Sequence, residues 1–189
     1  MKKRIYLDHA ATTPVRSEVL EAMRLYFVYD FGNPSALYKE GRTAKLALDR
    51  SRRKIARLIK AKKPEEIVFC GSGTESCNLA IKGVARANKK NGKHILVSKI
   101  EHYAVLCPIR YLREKEGFKA TYIRPDKQGI IHPEYIEKLI KDNTILVSIM
   151  YANNEIGTVN PIAEIAKTCL LYTSPSPRDL STSRMPSSA

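Results

Sequence analysis

Apolar residues near the start of the chain recur with a helical period. Val19, Ala22, Met23, Tyr26 and Phe27 fall at i, i+3, i+4, i+7 and i+8, which predicts a helix with one buried face, Tyr26 in the core and Ser17 as its cap. In FGNPS, Asn33 ahead of Pro34 predicts a turn or a helix start. A long helix follows Gly41, with Ala44, Ala47, Leu48, Ser51, Ile55, Leu58 and Ile59 sharing a face. From residue 65 short β-branched runs alternate with helical patterns. EIVF (66–69), HILVS (94–98), TYI (121–123) and TILVSIM (144–150) predict four strands. A helix over about 74–89, burying Ala80, Ile81, Val84 and Ala85, follows the first. A helical segment containing Leu112, bent or begun at Pro108, follows the second, and a helix around PEYIEKLIK follows the third. Asn160 and Pro161 fit the N-cap and N1 of a last helix.

Strands each trailed by a helix predict an α/β fold: a three-layer, mostly parallel sheet with helices on both faces. At 189 residues, 43% hydrophobic, the chain holds enough for one ordinary domain, placed at 1–168. Residues 169–189 are rich in Ser, Thr and Pro and follow neither period. They read as a disordered tail or as foreign sequence joined to an interrupted gene. The abrupt change favours the second, and with it a truncated fold whose sheet lacks its next strand.

Charge and chemistry narrow the function. The formal net charge is +14, and residues 39–63 hold eleven Lys or Arg against Glu40 and Asp49. That run is a nucleic-acid-binding face or a solvated helix surface. It has no aromatic residue for a base to stack on, which argues against nucleic acid. Cys70, Cys77, Cys107 and Cys169 show neither zinc spacing nor a disulfide framework, so reduced thiols of a cytoplasmic protein are expected. Cys70, Cys77 and Cys107 are expected to serve as buried small apolar residues. No apolar run is long enough to cross a bilayer, and the start of the chain lacks a signal-peptide core.

Ligands of open α/β sheets sit at the strands' C-terminal edge, where three loops should meet: CGSGTES, KIEHY and YANNEIG. Ser72 and Glu75 have capping-box spacing, which starts a helix just after the glycines and aims backbone N–H groups at an anion, with the Thr74 hydroxyl beside them. A glycine turn that binds nothing is the alternative. The Walker pattern is absent, and Ser76 stands where the dinucleotide fingerprint needs its last glycine. His102, beside Glu101, stacks on a ligand or shuttles protons, or else is structural. Asn153 and Asn154 build a turn or hydrogen-bond a planar ligand.

YLDHAATTP (6–14), FGNPS (31–35), GSGTESCNLAIKG (71–83), EH (101–102) and SIMYANNEIG (148–157) together resemble the N-terminal part of a cysteine desulfurase, a class V aminotransferase with the aspartate-aminotransferase-type fold. The resemblance covers residue 4 to about 168. It implies pyridoxal 5'-phosphate (PLP) as cofactor, its phosphate on Gly73 and Thr74, its ring under His102, which also takes part in proton transfer, and its 3-oxygen bonded by Asn154. It implies L-cysteine as substrate, alanine as product, and sulfur passed as an enzyme persulfide to an iron–sulfur scaffold or another acceptor protein, or into tRNA thiolation, in a homodimeric parent. Selenocysteine lyase and aminotransferases of the same class remain alternatives. The Schiff-base lysine, the aspartate at the ring nitrogen, the ring-side glutamine and the nucleophilic cysteine would all follow residue 169, so these 189 residues alone are expected to be inactive. Lys82 is expected to point away from the ligand edge.

Overall fold

The computed structural model describes residues 5–172. By its own contacts the chain divides into two compact units, Met1–Val68 and Phe69–Ala189. No helix among the described residues is long and apolar enough to cross a membrane.

In the first unit, α1 spans Ser17–Val28 and α2 spans Lys39–Leu58, followed by a 3-10 turn at Pro64–Glu66. The N-cap of α1 is Arg16, and Ser17 turns its hydroxyl to Glu18 at 3.3 Å instead of capping the helix. No residue of α1 is buried, and Val19, Met23 and Tyr26 are each more than 40% exposed, so the expected core face with Tyr26 is not formed. Two helices and a turn offer that stripe no second layer to pack against. In α2 the buried positions are Gly41 and Ala56, whereas Leu48, Ile55, Leu58 and Ile59 are exposed. The loop before α2 folds onto the helix start instead. A Cβ on Gly41 would stand 2.4 Å from the Ala36 carbonyl oxygen, and one on Gly32 2.3 Å from that of Glu40, so only glycine admits this approach. The expected strand at 66–69 is absent. Glu66 ends the 3-10 turn, the Ile67 carbonyl accepts from Arg52 Nε at 3.3 Å, and no strand pairs with the segment among the described residues.

The second unit is a layered α/β structure. Strands β1 (His94–Ser98), β2 (Lys119–Ile123) and β3 (Thr144–Ser148) form a parallel sheet in the order β2-β1-β3. Helices α3 (Gly73–Ala87), α4 (Tyr103–Glu116), α5 (Pro133–Leu139) and α6 (Ile162–Tyr172) surround it. Every residue of β1 is buried, and alternation divides its side chains between two cores. Ile95 and Val97 pack with Ile81 and Ala85 of α3 and with Ile109 and Leu112 of α4. Leu96 packs with Ile123, Ile131, Ile136 of α5 and Ile165 of α6. Helices thus cover both faces, the three-layer arrangement expected. Each fully buried Ile or Leu contributes roughly 1.5–3 kcal/mol. The stripe of α3 is narrower than expected: Ile81 and Ala85 are buried, Val84 is half-buried and Ala80 is exposed.

Strand boundaries shift for local reasons. Strand β2 begins two residues before TYI, because the Lys119 N–H donates to the Lys93 carbonyl at 2.7 Å. Strand β3 ends two residues before Met150, whose backbone is claimed by side chains described below. Pro108 lies inside α4, and the helix ends at Gly117, whose φ of 71° suits glycine. Helix α6 starts at Ile162, one residue after the expected N1, since the Asn160 side chain bonds elsewhere than to the helix. The helix carries the pattern through Tyr172, and residues 173–189 of the expected tail lie outside the described residues.

At the opposite end of the sheet, buried His94 spans the strand starts. Its Nδ1 lies 2.7 Å from Thr144 Oγ1 and its Nε2 2.9 Å from Thr121 Oγ1. Burial, reinforced by the Lys141 and Lys119 charges, pushes this imidazole below the usual histidine range.

Candidate functional site

Helix α3 leads through a six-residue turn, 88–93, into the start of β1, and α4 leaves its end. Both helices therefore run antiparallel to the strands and put their N-termini at the sheet's C-terminal edge. They pack on each other and are tied by Arg86 to Glu116 at 2.7 Å. Lys82 of α3 places Nζ 4.7 Å from the Tyr111 ring centre on α4, so its charge is engaged between the helices.

The glycine turn folds as its spacing requires. Ser72 is the N-cap of α3, its Oγ accepting from the Glu75 N–H at 3.1 Å, while Glu75 Oε2 reaches back to the Gly71 N–H at 2.6 Å. This capping box satisfies two donors and leaves the N–H groups of Gly73 and Thr74 without a partner among the described residues. A Cβ built on Gly73 would meet nothing within 4 Å, so the space at the helix start is open. Thr74 is exposed beside it. Unpaired N–H groups, the helix dipole and a hydroxyl are donors that could hold an anion here.

His102 is the N-cap of α4, in extended conformation, and its Nδ1 accepts from the Ala104 N–H at 3.0 Å. The ring therefore carries its neutral-state proton on Nε2, in the exposed direction. Glu101, one residue earlier, points inward. It is 9% exposed, and Oε1 accepts from the Met150 N–H. Burial pushes its carboxyl above the usual range, and the Met150 N–H partly offsets that.

The segment after β3 is a tight hairpin closed by the antiparallel bridge Ala152–Val159. The two asparagines are placed differently. Buried Asn153 builds the turn, its Oδ1 accepting from the Glu155 and Ile156 N–H groups at 2.9 and 3.1 Å. Its Nδ2 donates to the Ile100 carbonyl at 3.2 Å. Asn154 is exposed at the tip, with Nδ2 on Glu155 Oε1 at 3.1 Å. Asn160, 2% exposed, donates from Nδ2 to the Met150 carbonyl and accepts the Ile131 N–H on Oδ1, both at 2.9 Å.

The loops carrying His102 and Asn154 are thus joined directly, by Glu101 to Met150 and Asn153 to Ile100. Gly73 and Thr74 stand at the start of α3, and their hydrogen bonds, like those of His102 and Asn154, are local to their own turns. Asn153 takes the turn-building role that was one of its expected alternatives, whereas the ties made by Glu101 and by the Asn160 side chain across the loops were not expected. Glu101 gave a signal only as a carboxylate just past an apolar strand, and Asn160 only as the residue before Pro161. Among the cysteines, Cys70 and Cys77 are half-buried, while Cys107 is exposed with Arg110 Nη2 at 3.5 Å, contrary to the buried role expected of it.

The family model of class-V aminotransferases matches residues 5–173. The chain is similar to the cysteine desulfurase IscS of Dictyoglomus turgidum, 51% identical over 172 residues, covering 91% of this chain and 43% of that protein. It is similar also to the cysteine desulfurase IscS of Methanosarcina thermophila, 51% identical over 165 residues, covering 87% of this chain and 40% of the relative. Among solved structures, a NifS-like protein superposes with a TM-score of 0.86 at 37% identity, over 90% of this chain and 46% of its own. SspA in complex with cysteine gives 0.83 at 40% identity, over 90% and 48%. The chain therefore spans less than half the length of these relatives.

Proposed function

The chain belongs to the class-V aminotransferase family, and on that premise we propose that it forms the N-terminal portion of a cysteine desulfurase that binds pyridoxal phosphate. The observation that carries the cofactor reading is the open start of α3. Two unpaired N–H groups, at Gly73 and Thr74, and the Thr74 hydroxyl are the donor set a phosphate monoester needs. When bound, the cofactor supplies an electron sink. This chain's own residues would bind and orient it. Gly73 and Thr74 would hold the phosphate, His102 would stack on the ring and hold a proton at Nε2, and the Asn154 amide would serve the ring's 3-oxygen.

The substrate reading, L-cysteine, is supported by relatives named cysteine desulfurase and by a neighbour solved with cysteine. In the whole protein we place sulfur delivery to an iron–sulfur scaffold or another acceptor, a homodimer and a cytoplasmic setting. The 189 residues by themselves are assigned cofactor affinity without turnover. The test is a fluorescence titration of the purified chain with PLP, with pyridoxal and with PLP in the presence of inorganic phosphate, alongside an assay for alanine and sulfide from cysteine. PLP should bind, pyridoxal should bind at least about tenfold more weakly, and phosphate should compete. Equal affinity for pyridoxal would remove the phosphate seat, and sustained alanine production would remove the assignment of catalysis to residues beyond this chain.

A further inference from the structure

Met150 stands just past the end of β3, and two buried side chains hold its backbone. Its N–H donates to Glu101 Oε1, and its carbonyl accepts from Asn160 Nδ2 at 2.9 Å. Glu101 comes from the loop after β1, 49 residues earlier in the chain, and it is the immediate neighbour of His102. The backbone here is extended, with His102 at φ −62° and ψ 150°, so the Glu101 side chain goes inward as the His102 ring goes outward. Downstream of Met150 the hairpin leads to Asn154, and Asn153 returns a bond to the Ile100 carbonyl at 3.2 Å, one residue before Glu101. The two loops that carry the proposed ring contacts thus share one buried clasp.

We propose that Glu101 is a positioning residue: by holding the Met150 N–H it fixes the His102 loop and the Asn154 hairpin against each other. Glu101 itself is buried and does not face a ligand. It acts through its two neighbours. Asn160 holds the carbonyl of the same residue and accepts the Ile131 N–H at 2.9 Å, so the hairpin is held at its root from both directions. The bond requires an acceptor oxygen at the carboxylate's position and not a charge, so glutamine at 101 meets the requirement and alanine does not. This clasp is a property of the chain alone. Its effect on the cofactor rests on the function proposed above.

Amide hydrogen exchange and PLP titration on the 189-residue chain, as wild type, Glu101→Ala and Glu101→Gln, test the proposal. The informative amides are Asn153, Glu155, Ile156 and Gly157, none of which bonds to Glu101 itself. In Glu101→Ala they should exchange roughly tenfold or more faster while the amides of β1 keep their protection, and Glu101→Gln should restore them. PLP affinity should fall by a similar factor in the alanine variant and recover in the glutamine variant. Unchanged hairpin exchange, a uniform rise that includes β1, or failure of glutamine to rescue would each overturn the clasp. Loosened exchange with unchanged PLP affinity would overturn the positioning role. Should wild type itself bind no PLP, the cofactor reading falls, and the exchange arm still decides for or against the clasp.

Discussion

His102 uses one ring for two purposes. Nδ1 is spent on the first turn of α4, accepting the Ala104 N–H, which leaves Nε2–H as the group available outside. Nitrogen-15 spectra of the neutral imidazole should therefore show an acceptor-type Nδ1 and a protonated Nε2. The cap and the ring are separable by mutation. His102→Ala should cost about 1 kcal/mol of stability by urea unfolding, while His102→Asn should keep most of it, because asparagine caps helices as well. Equal loss in both variants would show that the ring, and not the cap, supplies the stability. Glu101 beside it has the opposite character, an inward carboxyl whose value lies in its acceptor oxygen.

At the level of elements, α3 depends on its capping box. Ser72→Ala should cost about 1 kcal/mol, read as a lower urea midpoint, and should weaken phosphate-dependent PLP binding in step, since the same turn shapes both. Intact binding in a destabilised variant would separate the helix start from the anion seat. This element was legible in the sequence because its information is local: S-x-x-E behind two glycines specifies a helix start whatever surrounds it. Strand β1 was legible for a related reason, since HILVS is an apolar run bounded by polar residues. The strand expected at 66–69 looked the same in sequence but joins no sheet among the described residues. The face of α1 likewise had the right period and nothing in its unit to cover it. The end of β3 and the start of α6 were misplaced for a different cause. Glu101 and Asn160 act across 49 and 29 residues, distances no periodicity window contains.

At the scale of the molecule, His94 ties all three strands at the edge remote from the candidate site. Its folded-state pKa lies below the ordinary 6.5, so between those two values the unfolded chain binds more protons. The sign follows: the contribution is fully present above about pH 6.5 and is lost as pH falls toward the folded value. Urea midpoints of wild type should drop over that interval relative to His94→Gln, whose side chain does not titrate. Parallel slopes would show that the histidine does not set the acid response. Glu101, raised above 4.5, has the reverse sign, its contribution lost as pH rises through its own window, so the paired comparison is needed to isolate His94.

The order β2-β1-β3 bears also on how the chain is made. Translation delivers the middle strand first, then one flank, and the other flank only fifty residues after the first strand began. Until Thr144–Ser148 clears the ribosome, His94–Ser98 waits with one side bare, its histidine half-engaged, in a nascent chain that invites chaperones to hold it.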